Sequence, residues 1–268
     1  MPTTRVAIAG LGAIGRALAR RLADGVPGLE LTGVAVRDRS KAEAWMRDAG
    51  IECPILALPS LPDHADLVVE AAPAAVLEEI CRPMLSAGKK VMVLSAGALL
   101  PRPDLVELAR ETGGQIIVPT GALLGLDAVT AAGEGKIHSV HMTTRKHPRG
   151  LAGAPYLEDN AIYVEGLEIA KRVFGGTARE AAAGFPANVN VAAALSLAGI
   201  GPDRTTLEIW ADPEVTRNCH TIEVDADSAR FTLSIENVPS ENPKTGRITA
   251  LSALAALRKL HAPLRVGT

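Results

Sequence analysis

The stretch VAIAGLGAIGRALARRL, residues 6–22, constrains the fold of this chain more than any other. A short apolar run reads as a buried strand, three glycines as a tight turn, and the Ala- and Arg-rich remainder as a helix. Gly10, Gly12 and Gly15 are spaced G-x-G-x-x-G. The first permits the turn, the second lets backbone approach a pyrophosphate, and the third lets helix and strand pack closely. The helix N-terminus then offers free N–H groups and partial positive charge to an anion. Gly10, Leu11, Gly12, Ala13, Ile14 and Gly15 are therefore the candidate phosphate cradle. Alone the motif is weak; between a strand and a helix it points to a dinucleotide.

The pattern around it supports that context. Strand-like runs at 5–9, 29–36, 66–70, 90–94 and 115–119 alternate with helical runs at 14–23, 40–50, 74–87 and 104–112. Ser40 with Glu43 three residues on reads as a capping box, and Gly88 and Gly113 read as helix stops. Such alternation predicts an α/β fold, a Rossmann-type doubly wound parallel sheet, over residues 1–122. Hydrophobic residues make up 47% of the chain but aromatics only 3%, so small aliphatic side chains must build the core. A parallel sheet buried on both faces suits that composition.

Beyond residue 122 the pattern changes. A helical run at 123–132 precedes an alternating strand at 138–145 and a Gly- and Pro-rich loop at 146–160. Helices are predicted at 164–174 and 189–197, then strands at 206–210, 219–224 and 229–235. These make a smaller α+β domain over 123–240, with an antiparallel sheet. The strongly apolar run at 248–260 predicts a helix, within a tail at 241–268 that packs back on the first domain.

The end of the second strand reads on which dinucleotide binds. An acidic residue there suits the ribose hydroxyls of NAD, an arginine the 2′-phosphate of NADP. The chain offers both, Arg37 and Asp38, so NAD or NADP is expected. The net charge of −2 gives no case for nucleic acid or an anionic membrane. No run is apolar enough to span a bilayer, and no secretory pattern opens the chain. Cys53, Cys81 and Cys219 fit neither a disulfide framework nor a zinc site. A cytoplasmic protein without a metal is expected.

Four stretches carry the reading further: PTGALLGLDAV (119–129), FPANVNVAAALSLAGIG (185–201), DPEVTRNCHTIEV (212–224) and ENPKTGRITALSALAALR (241–258). Together, in order and over essentially the whole chain, they resemble the L-aspartate dehydrogenase family. The resemblance implies NAD(P)-dependent oxidative deamination of L-aspartate to iminosuccinate, and the reverse amination. Iminosuccinate hydrolyses to oxaloacetate and ammonia or feeds NAD biosynthesis. A homodimer held through the α+β domain is also implied. The family's catalytic histidine falls on His220, its nicotinamide-site asparagine on Asn190, and a further cofactor contact on Leu124. The family favours a small residue at that last position, so Leu124 departs from it: a contact made by the side chain would be lost, and one made by the backbone would survive.

The residues have readings of their own. His220 opens a strand after the polar segment TRN and suits acid–base work near neutral pH, although a structural histidine fits the local pattern too. His138 and His141 lie three apart on a strand and face opposite sides, which argues against a shared metal. Two substrate carboxylates need cations or N–H donors. The loop TRKHPRG supplies Arg145, Lys146 and Arg149; Lys244 and Arg217 are the other candidates. Asn188 reads equally as a helix cap or as a substrate ligand, and Asn190 as an amide for the nicotinamide carboxamide. Thr120 and Gly121 follow the last strand of the first domain, where a crevice opens. Cys219 points away from His220 and reads as a buried thiol. Two alternatives stay open: a dehydrogenase or reductase of another small dicarboxylate or semialdehyde, and a cofactor sensor without turnover.

Overall fold

Runs of β-branched and small aliphatic residues, too apolar to face water on either side, make the strands of the first sheet. The computed structural model describes residues 3–186, 188–239 and 246–267. It divides into two units, Met1–Pro119 with Ala250–Arg265, and Thr120–Thr249 with Val266–Thr268.

The first unit runs β1 (Thr4–Ala9), α1 (Ala13–Ala23), β2 (Leu29–Ala35), α2 (Arg39–Asp48), β3 (Ile55–Leu56), α3 (Leu61–His64), β4 (Leu67–Glu70), α4 (Leu77–Ser86), β5 (Lys90–Val93), α5 (Pro103–Thr112) and β6 (Gln115–Ile117). The strands pair in parallel in the order β3-β2-β1-β4-β5-β6. In that order the chain reverses direction between β1 and β4, the place where doubly wound sheets bind ligands. Val6, Ile8, Leu67, Val69 and Met92 pack with Leu18 and Leu22 of α1 on one face. Ala7, Val68, Val91 and Val93 pack with Ile80 and Met84 of α4 on the other. Asp38, not Ser40, caps α2: its carboxylate accepts from the Lys41 N–H at 3.0 Å. The helix starts at Arg39, which puts Ser40 inside the first turn.

The second unit comprises α6 (Leu126–Gly133), β7 (Ile137–Lys146), α7 (Pro155–Asp159), β8 (Lys171–Thr177), α8 (Ala178–Gly184), α9 (Asn190–Ala198), β9 (Thr205–Ala211), β10 (Asn218–Ala226) and β11 (Arg230–Asn237). Its sheet has the order β11-β10-β7-β9-β8. The central pair β7–β9 is parallel, so the sheet is mixed and not antiparallel as the alternating pattern suggested. The helix expected at 164–174 does not form. Val173 and Phe174 enter strand β8 instead, ahead of Gly175 and Gly176, which disfavour helix. Helix α8 begins only after them, where Thr177 and Glu180 close a capping box. The expected loop at 146–160 likewise contains α7, opened by Pro155.

Scarce as they are, aromatics concentrate in this unit's core. The rings of Tyr156, Phe174 and Phe185 meet with centroids 5.1–5.5 Å apart. The last helix, α10 (Ile248–Lys259), belongs mostly to the first unit and buries Ala253, Leu254 and Leu257 beside Leu18 and Leu22. Nearby, Thr4 Oγ1 and His261 Nε2 hydrogen-bond at 2.8 Å.

Candidate active site

The glycine turn separates into two structural glycines and one open one. Gly10 sits at φ +102°, and a Cβ there would lie 2.4 Å from the Ala71 carbonyl oxygen. A Cβ at Gly15 would lie 1.9 Å from the Gly10 oxygen. At Gly12 nothing lies within 4 Å of that position. Gly12 is also the N-cap of α1, and no side chain caps the helix. The first N–H groups of α1, beyond Leu11 and over Ala13, Ile14 and Gly15, therefore start at an uncrowded backbone edge. A pyrophosphate fits there: the donors are in place and the cradle is one that a Cβ at residue 12 would enter.

Beside it, β2 delivers Arg37 and Asp38, both exposed. One Asp38 oxygen caps α2, which fixes the side chain at the mouth of the turn. Arg37 has no ion-pair partner among the described residues. The Gly10 N–H donates to the Ala35 carbonyl at 2.8 Å, tying this corner to the glycine turn.

In the second unit, the loop 120–125 is held from several sides. Leu123 is buried, its N–H donates to the Thr120 oxygen at 3.2 Å, and Asn237 Nδ2 donates to the Ala122 oxygen at 2.7 Å. Gly121 and Gly125 take positive φ, and a Cβ at Gly125 would strike Leu233. Thr120, Gly121 and Leu124 remain half-buried.

The chemistry-bearing cluster lies on the buried face of the second sheet. Along β7, Met142, Thr144 and Lys146 point the same way; along β10 so do Asn218, His220, Ile222 and Val224. The face is apolar at Met142, Ile222 and Val224 and turns polar towards Thr144, Lys146, His220 and Asn218. His220 pairs across the ladder with Thr144, and its Nδ1 lies 3.1 Å from the Thr144 hydroxyl oxygen. His220 is 3% exposed and Lys146 also 3%. Lys146 Nζ donates to Asn188 Oδ1 at 3.0 Å. Burial, and then the Lys146 charge, push the imidazole down to about 3 from its ordinary 6.5, so it is neutral at physiological pH. A buried neutral base beside a buried cation can receive a proton and an anion together.

Asn188 does not cap α9: Val189 occupies that position with no side-chain cap, and the Asn188 amide turns to Lys146. Asn190 is the first residue of α9 and half-buried. Lys244 lies outside the described residues. Of the cations in TRKHPRG, Lys146 alone faces the cluster. Arg145 faces the opposite side of the sheet, pairing with Asp212 at 3.2 Å and stacking over Trp210 at 4.7 Å. Arg149 is exposed, and its N–H donates to the His147 ring. Arg217 is exposed and near Glu236. Cys219 is half-buried rather than buried, with its thiol directed at the Arg217 carbonyl. Among the described residues no group of His, Cys, Asp or Glu could hold a metal. The sequence reading missed Thr144 and Asn218, although both stand two residues from a predicted site residue, where strand alternation puts side chains on one face.

Two family models match the chain, one after the other. A family model described as aspartate dehydrogenase, C-terminal, matches residues 127–260. One described as homoserine dehydrogenase, NAD binding domain, matches residues 10–119. L-aspartate dehydrogenase 3 of Bordetella bronchiseptica is 59% identical, with 98% of this chain and 97% of the relative covered. L-aspartate dehydrogenase of Bradyrhizobium diazoefficiens is 58% identical, with 98% and 94% covered. Among solved structures, aspartate dehydrogenase from Thermotoga maritima superposes with a TM-score of 0.75 at 22% identity, covering 98% and 99% of the two chains. At that identity it speaks for the fold.

Proposed function

The chain belongs to the L-aspartate dehydrogenase family, and from that premise we propose that it oxidises L-aspartate with NAD or NADP and catalyses the reverse amination. The product is iminosuccinate, which water converts to oxaloacetate and ammonia. The observation that carries this reading is His220 and Lys146 buried together on one sheet face.

A bound nicotinamide supplies the acceptor for the hydride leaving the substrate Cα. Everything else falls to the chain. The backbone from Gly10 to Gly15 takes the pyrophosphate, and Arg37 and Asp38 take the adenosine ribose, with or without its phosphate. Leu124, through its backbone, and Asn190, through its amide, are the further cofactor contacts. Thr120, Gly121, Asn188 and Lys146 receive the substrate, as does Lys244. The Lys146 ammonium pairs with a substrate carboxylate, a charge-assisted contact stronger than a neutral one. Thr144 engages Nδ1 of His220, which leaves Nε2 to take a proton from the substrate ammonium. The two roles are coupled. A carboxylate on Lys146 cancels the charge that disfavours imidazolium, so substrate binding raises the proton affinity of His220 when it is needed.

We also assign a homodimer and a cytoplasmic setting to the chain. The outward face of the second sheet, with Thr143, Arg145, Trp210 and Thr221, is half-buried and available to a second copy. The three cysteines are free, as a reducing compartment would keep them. No helix among the described residues is long and apolar enough to cross a membrane.

The test of the reaction is absorbance at about 340 nm, with NAD and NADP offered separately. Reduced cofactor should form with L-aspartate and not with D-aspartate, L-glutamate or L-homoserine. Silence with L-aspartate, and with oxaloacetate plus ammonia in reverse, would overturn the proposal and favour a cofactor sensor.

A further inference from the structure

Glu70 ends β4, and nothing in the chemistry above uses it. Its exposure is 0%, so a carboxyl group lies wholly inside the first unit. It sits at the carboxyl end of the strands, where a doubly wound sheet opens its crevice. Oε2 accepts from the Leu94 N–H at 3.1 Å, the Ser95 N–H at 3.0 Å and the Ser95 hydroxyl at 2.7 Å. Oε1 accepts from the Ala72 N–H at 3.2 Å. Every one of these partners donates, and no lysine or arginine among the described residues pairs with the group. Burying an unpaired carboxyl is costly, and burial does push its pKa up. A group kept there at such cost is doing something that an apolar side chain could not.

What it does is join two segments. Ala72 belongs to the chain leaving β4; Leu94 and Ser95 belong to the chain leaving β5, its neighbour in the sheet. The first segment also abuts the glycine turn. The Ala71 N–H donates to the Ala9 oxygen at 2.8 Å, and the Ala71 oxygen is what a Cβ at Gly10 would strike. In such folds the adenosine half of a dinucleotide lies at the end of β2 and the pyrophosphate at the turn after β1. The other half then runs the opposite way, over the ends of β4 and β5.

Building on the cofactor reading, we propose that Glu70 is a positioning residue for the nicotinamide half of the cofactor. Its carboxylate clamps the segments after β4 and β5 into one backbone floor. Glutamine cannot replace it: the amide oxygen can serve Leu94 and Ser95, but the amide NH2 then meets the Ala72 N–H, donor against donor.

The test is calorimetric titration of the full chain with NAD and, separately, with ADP, which lacks the nicotinamide half. Glu70→Gln should weaken NAD by roughly tenfold, the scale of one lost hydrogen bond to a charged group. ADP should stay within about twofold of the wild type. Ser95→Ala, which removes one donor and leaves the backbone, should weaken NAD by a smaller factor and spare ADP; it decides the matter alone if Glu70→Gln does not fold. Unchanged NAD affinity in both variants, or equal losses of NAD and ADP, would overturn the proposal. A wild type that binds neither ligand, and does not bind NADP either, would overturn the cofactor reading and this inference with it.

Discussion

Arg145 and Lys146 are adjacent in sequence and opposite in role. On a strand, adjacent residues face opposite sides, so one cation stacks on Trp210 while the other is buried beside His220. A run of basic residues in sequence cannot say which of them shares the buried face with His220; the register of β7 can. Lys146→Met keeps the aliphatic stem and removes the charge. It should raise KM for L-aspartate by roughly tenfold to a hundredfold, the range for a lost hydrogen bond to a charged group, and leave cofactor affinity unchanged. Steady-state kinetics with L-aspartate varied at saturating cofactor would show it, and an unchanged KM would remove Lys146 from the substrate site. His220 has a second signature, in stability. Its pKa in the fold, about 3, lies below the ordinary 6.5, so the unfolded chain binds the proton first as pH falls. The stability tied to the neutral ring is full above about pH 6.5 and is lost as pH falls towards about 3. Within that window this one group contributes a slope of up to about 1.4 kcal/mol per pH unit. Denaturant midpoints of the wild type and His220→Gln should converge as the medium is acidified; parallel curves would contradict a neutral buried imidazole.

At the scale of elements, the glycine turn separates folding from binding. Gly10→Ala forces a left-handed backbone and a clash with Ala71, a strain alone worth about 1–3 kcal/mol. Gly12→Ala has open space and should fold normally, yet weaken cofactor binding, because the methyl enters the cradle. Melting temperatures and cofactor titrations of the two variants should therefore move in different columns: stability for the first, affinity for the second. Phe185 links core to site in a similar way. It is fully buried against Tyr156 and Phe174, and its carbonyl accepts from the Asn188 N–H at 2.8 Å, shaping the turn that brings Asn188 to Lys146. Phe185→Ala should destabilise by about 3–5 kcal/mol, measured by denaturant unfolding. The first unit was legible because its signals are local: continuous apolar runs, glycine stops and one turn motif. The second was legible only in part. Alternation located β7, β9, β10 and β11 but could not report that β7 and β9 pair in parallel, a non-local fact. The helix expected at 164–174 failed because Val173 and Phe174 satisfy either period, and the neighbouring glycines decide for strand. Asn188 looked like a cap by position; a lysine forty-two residues away in sequence claims its side chain instead.

At the scale of the whole molecule, the two units carry different parts of the proposed site. The glycine cradle and the Arg37–Asp38 corner belong to the first, and the His220–Thr144–Lys146–Asn188 cluster to the second. With a net charge of −2, the chain has no strong overall field to steer an anionic substrate, so the proposed capture by Lys146 acts at short range. The assigned homodimer should show in solution as a mass near twice 27.9 kDa by light scattering, and a monomer at working concentration would withdraw it. The most direct measurement of the division itself is His220→Ala, with turnover of L-aspartate and affinity for the reduced cofactor determined on one preparation. Turnover should fall by roughly a hundredfold to ten-thousandfold, the usual contribution of a positioned acid–base group, while cofactor affinity stays within about twofold. Turnover surviving within a few-fold, or cofactor affinity lost along with it, would contradict a catalytic His220 in a unit separate from the dinucleotide cradle.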